Sequence, residues 1–126
     1  MKKHTVHWLE LARYDLKTAE HMLKSRRYIY VVFLSHLTIE KLLEAYITET
    51  TTDFPPYIHD LNKLTEKAGL AFPTSLAGFV DQMSKASVPT RYPEDLKAIK
   101  RRTAEECFEQ TRKVFKWLER QLKSVA

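Results

Sequence analysis

The hydrophobic pattern of this chain is dominated by one stretch, Tyr28–Ile47, in which apolar residues cover almost the whole circumference of a helix. Only the second half is interrupted, by His36, Glu40, Lys41 and Glu44. A helix this apolar is expected to be enclosed by other elements, while its charged residues exclude a membrane span. The pattern therefore predicts the buried central helix of a small bundle.

Periodic apolar residues predict further helices on both sides of the central one. A stripe at helical spacing predicts a first helix over Thr5–Ser25, and shorter patterns predict helices over His59–Ala68 and Pro73–Met83. A capping-box pattern that starts at Thr103 predicts a long closing helix. Between residues 85 and 102 the periodicity fades because prolines interrupt it, and this segment is predicted to be a basic loop.

These elements together predict an all-α fold, an up-and-down bundle of about five helices. Two long helices joined by a three-residue link at residues 25–27 are expected to pack antiparallel. Two short helices and one long closing helix complete the bundle. Asp60 is expected to cap the third helix and Gly69 to end it, while the prolines of residues 50–56 end the central helix.

The composition agrees with one small domain over residues 1–126. Two glycines argue against an all-β fold, and hydrophobic residues make up 44% of the chain, enough for one core. A single cysteine, Cys107, excludes an internal disulfide and favours a reducing compartment. No apolar run follows the basic start, so we expect no signal peptide and a cytoplasmic location without membrane association.

The net charge of +5 favours an anionic partner, such as a nucleotide, RNA or an acidic protein, but it equally fits a solvated basic surface. No glycine-rich phosphate loop, nucleophile elbow or Glu-x-x-His pair occurs. One cysteine cannot build a thiolate zinc site, and the His4 and His7 pair lies at a terminus. The sequence therefore predicts neither a metal nor a cofactor.

Three groups of polar residues are candidates for function. His36 and Glu40 share one face of the central helix. They either act as an acid/base pair, bind a ligand between helices, or satisfy one another together with Asp15 as a buried polar interhelical cluster. His59 precedes the capping residue Asp60, at a helix start that favours anions.

The third group lies in the basic segment, where arginine forks and an aromatic ring suit phosphate and base binding. Its members are Arg91, Tyr92, Lys97, Lys100, Arg101 and Arg102. A solvated basic loop explains the same residues without any ligand.

Several of these residues, taken in order, resemble the HEPN family, small prokaryotic helical proteins named for nucleotide binding. The resemblance covers nearly the whole chain. The matching residues are Trp8, Ala12, Asp15, Leu16 and Ala19, then Glu40 and Lys41, then His59, Asp60 and Leu61, and above all Arg91, Tyr92 and Pro93. It implies a helical bundle that forms homodimers and pairs with a small nucleotidyltransferase, often as a toxin–antitoxin system.

Many HEPN proteins are metal-independent RNases whose motif is an arginine followed after four to six residues by a histidine. This chain departs from the motif, because no histidine follows His59 anywhere in the sequence. Without it no side chain at that position moves a proton near neutral pH. Glu44 is a second departure, since relatives often carry lysine there.

Three hypotheses follow. The first is a non-catalytic HEPN domain that binds a nucleotide or a nucleotidyltransferase partner, with Arg91, Tyr92, His59, Arg101 and Arg102 as ligand-binding residues. The second is an RNase with a displaced constellation, in which Arg91 supports the phosphate and His59 or His36 moves protons. The third is a homodimeric interaction module without a ligand.

Overall fold

A computed structural model describes residues 1–52 and 56–126, and within them every side chain except that of Val88. The described residues form six α-helices and no strand. The helices are α1 (Lys3–Lys24), α2 (Tyr28–Thr50), α3 (Leu61–Ala68), α4 (Thr74–Lys85), α5 (Ser87–Arg91) and α6 (Arg101–Val125). The predicted all-α bundle is therefore confirmed, with one short helix more than the sequence predicts.

The central position of α2 follows from its composition. Each of the five other helices contacts α2, and Ile39, Leu43 and Ile47 are fully enclosed. The α1–α2 pair reverses direction through Ser25, Arg26 and Arg27, with Arg26 in the left-handed region at φ 64°. None of the described helices is long and apolar enough to cross a membrane.

The two capping residues of the short helix α3 are those that its sequence predicts. Asp60 is its N-cap and accepts a hydrogen bond from the Lys63 amide at 3.1 Å. Gly69 ends the helix with φ 67°, a conformation in which a side chain would be strained. The helix begins at Leu61 rather than at His59, so His59 lies in the extended segment before it.

Two helix starts differ from the expectation. Pro73 is the N-cap of α4 rather than its first helical residue. The capping box at Thr103 was wrong, because α6 already begins at Arg101 and Lys100 caps it without a side-chain bond. Glu106, the glutamate of that box, instead accepts from Arg102 Nε at 3.1 Å, a pair four residues apart that favours the longer helix.

The segment predicted as a loop contains α5. Pro89 is the third residue of this helix, and first-turn residues need no intrahelical amide hydrogen bond. The Thr90 hydroxyl closes the turn by donating to the Ala86 carbonyl at 2.7 Å. The central helix ends at Thr50 as expected, whereas residues 53–55 of its predicted terminating segment lie outside the described residues.

Candidate functional site

One face of α2 carries a row of residues at steps of three or four, which places their side chains on the same side of the helix. The row is Ile29, Phe33, His36, Glu40 and Glu44. Both α3 and α5 contact α2, and the residues at their edges reach this row. His59 precedes α3 and Arg91 ends α5, so the fold brings two distant parts of the sequence to one surface.

His59 is held against this face by Glu40. The Nδ1 atom of His59 lies 2.6 Å from Glu40 Oε1. The Glu40 side chain is 7% exposed, whereas the His59 side chain is 57% exposed. The neighbouring Asp60 also accepts from the Ser84 hydroxyl at 3.1 Å, which ties this segment to α4. A buried carboxylate therefore orients an imidazole whose other edge is open.

Arg91 completes the cluster from the other side. Its guanidinium lies over the Phe33 ring, 5.1 Å from the centroid, as in a cation–π contact. Its Nη2 atom lies 3.2 Å from His59 Nδ1. A ring nitrogen is either a donor or an acceptor. When Nδ1–H donates to the Glu40 carboxylate, it cannot also accept from Arg91.

The consequence is an arginine edge whose hydrogen bonds are incomplete among the described residues. The Nε atom of Arg91 is buried and has no hydrogen-bond partner among the described residues. Nε and Nη2 are two donors on one planar, permanently charged group. Two such donors suit the oxygens of a carboxylate or phosphate. The geometry therefore defines a candidate anion-binding site beside His59.

His36 lies on the same row but is enclosed, with 1% of its surface exposed. Burial lowers the pKa of His36 to about 4, while the His59 backbone carbonyl acts in the opposite direction and the Arg91 charge adds to the lowering. Its Nε2 atom has no hydrogen-bond partner within the described residues. His36 is therefore a neutral imidazole at neutral pH, and it adds no positive charge next to Arg91.

Glu44 lies one turn beyond Glu40 and is 6% exposed. The pKa of Glu44 is raised to about 8, mainly by burial and also by the nearby Glu40 charge, while the Lys41 charge acts in the opposite direction. Most of this carboxyl is therefore protonated at neutral pH. The row thus combines one acidic side chain that pairs with a histidine and a second that keeps its proton.

The predicted cluster of Asp15, His36 and Glu40 is divided in the structure. Asp15 pairs with Lys41, whose Nζ lies 2.5 Å from Asp15 Oδ2, whereas Glu40 pairs with His59. Consecutive residues of a helix point in directions about 100° apart. Lys41 therefore faces α1 while Glu40 faces the segment before α3.

The remaining sequence candidates do not join this cluster. Tyr92 is 77% exposed and borders a separate cavity. Arg101 pairs with Glu105 and borders a cleft near Tyr28, and the Arg102 side chain is 90% exposed and pairs with Glu106. In the part of the chain that the structure describes, no three His, Cys, Asp or Glu side chains gather as a metal would require.

Sequence reasoning missed two contributions to the site. It did not assign Phe33, which supports the Arg91 guanidinium, or the direct contact between Glu40 and His59. The spacing of Phe33, His36 and Glu40 indicates a shared helix face, so the sequence is sufficient to predict part of this row. The partners across the helices depend on how α3 and α5 dock, which spacing does not specify.

Comparison with known proteins gives the same family as the sequence motifs. A model of the HEPN domain family matches residues 5–121. This chain therefore belongs to the HEPN domain family. A search of curated protein sequences gives no significant match.

Two solved structures share the fold. The TT1696 protein of Thermus thermophilus is similar with a TM-score of 0.80 and 22% identity, over 94% of this chain and 98% of that chain. ST0689, described as an archaeal HEPN homologue, is similar with a TM-score of 0.76 and 21% identity, over 97% and 99% of the two chains. At this level of identity the likeness concerns the fold.

Proposed function

We propose that this HEPN protein binds the phosphate of a nucleotide or of RNA between Arg91 and His59. The observation that carries the proposal is the Arg91 guanidinium: its Nε has no hydrogen-bond partner among the described residues, and its Nη2 lies 3.2 Å from a His59 nitrogen that also pairs with Glu40. Phosphate oxygens accept from such guanidinium donors, and a His59 ring that is protonated on both nitrogens donates from its exposed Nε2 to the same anion while Nδ1–H pairs with Glu40. The net charge of +5 favours the approach of such ligands.

The direct test is a titration of the protein with nucleotides and short RNAs, followed by thermal unfolding. We expect binding to raise the melting temperature, by an amount that grows with ligand concentration over Kd. The variant Arg91→Gln loses the charge-assisted hydrogen bonds, which are worth about 1.5–3 kcal/mol, so its Kd should rise about tenfold or more. Arg120→Gln is the matched control, because it removes the same charge from an exposed residue of α6.

Equal losses in the two variants would mean that net charge alone attracts the ligand. No shift with any nucleotide or RNA in the unmodified protein would contradict phosphate binding. The salt dependence of Kd is a further readout, since binding through a few phosphates weakens as salt rises.

A second candidate function is metal-independent RNA cleavage, favoured by the contiguous Glu40, His59 and Arg91 side chains. When Nδ1–H of His59 donates to Glu40, the Nε2 atom is free to accept the proton of a ribose 2′-hydroxyl. The 2′-oxygen attacks the neighbouring phosphorus while the bond from phosphorus to the 5′-oxygen breaks, and the leaving 5′-oxygen takes a proton from water. Arg91 stabilises the charge that develops on the phosphate. This arrangement takes the place of the histidine that the familiar RNase motif has after its arginine.

The same titration separates the two functions when the RNA is recovered and its length is checked in the presence of a chelator. Intact RNA supports a binding protein, which is our first proposal. Cut RNA that stays intact with His59→Ala, but is still cut by His7→Ala, supports the nuclease. His7 is an exposed residue of α1 and is therefore a suitable control.

We also propose a protein partner, either a second copy of this chain or a small nucleotidyltransferase in a toxin–antitoxin context in the cytoplasm. The resemblance to the HEPN family is the main support. Tyr14 on α1 and Tyr30 on α2 add to it, because their side chains are 74% and 48% exposed and offer aromatic contact area. If no ligand binds, this interaction becomes the primary function.

A further inference from the structure

A cavity of about 540 Å³ is bordered by Thr90 and Tyr92, the two chain neighbours of Arg91. It lies where α5 and the segment after it cover the first turns of α2. Its lining includes Ile29, Pro89, Tyr92, Glu94 and Ile99. The volume falls within the range of small-molecule pockets, and the lining combines apolar and aromatic surface with a carboxylate.

The cavity and the phosphate site are one helical turn apart. Arg91 stands over Phe33, and Ile29, four residues earlier on the same face of α2, forms part of the cavity wall. Four helical residues advance about 6 Å along the axis. In the chain, Tyr92 borders the cavity and directly follows Arg91. A ribose can bridge this separation, with phosphate on one side and base on the other.

The aromatic surface of the cavity is available for stacking. Tyr92 is 77% exposed, so most of its ring is uncovered. Pro93 and Pro89 also border the cavity and restrict the backbone on both sides of Tyr92. A nucleobase is a flat ligand that stacks on such a ring whatever its identity.

The two carboxylates at this cavity, Asp95 and Glu94, differ in the hydrogen bonds that they form with the protein. Asp95 Oδ1 accepts from the Lys97 amide at 2.9 Å, which stabilises a local turn. Glu94 is exposed and forms no hydrogen bond or ion pair with any residue in the described ranges. A carboxylate only accepts hydrogen bonds, and its two oxygens accept two parallel donors. Among the bases of RNA, guanine presents two adjacent donors, N1–H and the 2-amino group, on one edge.

We propose that this cavity is a base subsite that prefers guanine, with Tyr92 as the stacking surface and Glu94 as the acceptor of the guanine edge. The inference rests on the proposed phosphate site, because Arg91 and His59 would hold the phosphate of the same nucleotide. The ligand then lies along the α2 face, with its phosphate near Phe33 and its base near Ile29. Adenine, cytosine and uracil each place an acceptor beside their donor, which the Glu94 carboxylate repels.

The test compares guanosine and adenosine monophosphates by calorimetry or by ligand-dependent melting. We expect the unmodified protein to bind the guanosine nucleotide about tenfold or more tightly, the discrimination that a bidentate contact gives. In Glu94→Gln the amide offers one donor and one acceptor, which match N1 and the 6-amino group of adenine. The preference should therefore move toward adenine.

Three further variants separate base recognition from a general loss of binding. Tyr92→Ala should weaken both nucleotides about equally, whereas Tyr92→Phe keeps the ring and should bind as the unmodified protein does. Glu10→Gln removes the same charge from an exposed site on α1, a helix that does not contact α5, and should leave the guanine preference unchanged.

The outcomes also distinguish this inference from the phosphate proposal. Suppose that both nucleotides bind with equal affinity, that this affinity falls in Arg91→Gln, and that it is unchanged in Glu94→Gln. The base subsite is then wrong and the phosphate site is supported. If inorganic phosphate and both nucleotides leave the melting temperature unchanged, both proposals fail. A guanine preference that moves toward adenine in Glu94→Gln supports both.

Discussion

At the scale of single residues, the site depends on how one ring atom is shared. His59 Nδ1 lies within hydrogen-bonding distance of both Glu40 and Arg91, yet it carries a proton for only one of them. Pairing with the buried carboxylate frees the arginine for a ligand. Glu40 is therefore a positioning residue, because it sets the tautomer of His59 and, through it, the availability of Arg91.

His36 is expected to make the protein sensitive to acid. Its pKa is about 4 in the folded state because burial disfavours the charged ring, against an ordinary value of 6.5. The unfolded chain thus binds more protons between these values. The stability that depends on a neutral His36 is complete above pH 6.5 and is lost as the pH falls toward 4, by about 3 kcal/mol.

Denaturant unfolding at pH 4.5 and pH 7.5 measures this loss. Glu44 titrates in the opposite direction over the same interval, so the test compares proteins rather than pH values alone. The change in unfolding free energy from pH 4.5 to pH 7.5 should be lower in His36→Gln than in the unmodified protein, because the glutamine does not titrate. His7→Gln, in which an exposed histidine is replaced, should retain it. An unchanged pH dependence in His36→Gln would assign the acid sensitivity to other groups.

At the scale of elements, helix limits were predictable wherever a local residue determines them. Asp60 and Gly69 were assigned correctly because capping and left-handed geometry depend on one or two residues. The start of α6 and the existence of α5 were missed. In α6 the helix starts two residues before the capping box, where Arg101 and Arg102 pair with Glu105 and Glu106. In α5 a first-turn proline looks the same in sequence as a helix breaker.

The same distinction applies to the candidate site. His59, Arg91 and Glu40 were all candidates from sequence, but Glu40 was grouped with Asp15 rather than with His59. Helical spacing shows which side chains share a face, whereas the partner across the interface depends on packing. The sequence alone identifies these three residues as candidates, whereas the pairing of Glu40 with His59 is apparent only in the structure.

The turn between α1 and α2 offers an element-scale prediction. Arg26 adopts φ 64°, a conformation that costs a non-glycine residue roughly 1 kcal/mol. Arg26→Gly should therefore raise the free energy of unfolding by up to about 1 kcal/mol, less the extra entropy that glycine gains in the unfolded chain. Lys24→Gly, at an exposed helical position of α1, should lower it by a similar amount.

Thermal unfolding of the two variants checks the prediction, since both substitutions remove one positive charge and insert the same residue. A lower melting temperature for Arg26→Gly would show that the arginine side chain stabilises the turn by more than its backbone strain costs.

At the scale of the whole molecule, stability should also decline toward alkaline pH. Burial holds the pKa of Glu44 at about 8, against an ordinary value of 4.5. The folded state therefore keeps a proton that the unfolded chain releases, so stability falls as the pH rises from 4.5 through 8. The loss is on the order of 4 kcal/mol.

Glu44→Gln keeps the shape of the side chain and stays uncharged, so its unfolding free energy should not fall between pH 5.5 and pH 8.5; the titration of His36 should raise it slightly. The unmodified protein should lose stability over the same interval. Urea unfolding at the two pH values measures the difference, and a parallel decline in both proteins would contradict the role assigned to Glu44.

The contact of α2 with all five other helices has a consequence for the dynamics of the site. His59 and Arg91 come from the edges of two short helices, whereas Glu40 and Phe33 belong to the long central one. Short helices commonly open before long, enclosed ones. An anion that bridges Arg91 and His59 would tie the short helices to the central one, so bound ligand should slow amide hydrogen exchange in α3 and α5 while exchange in the interior of α2 stays as it is.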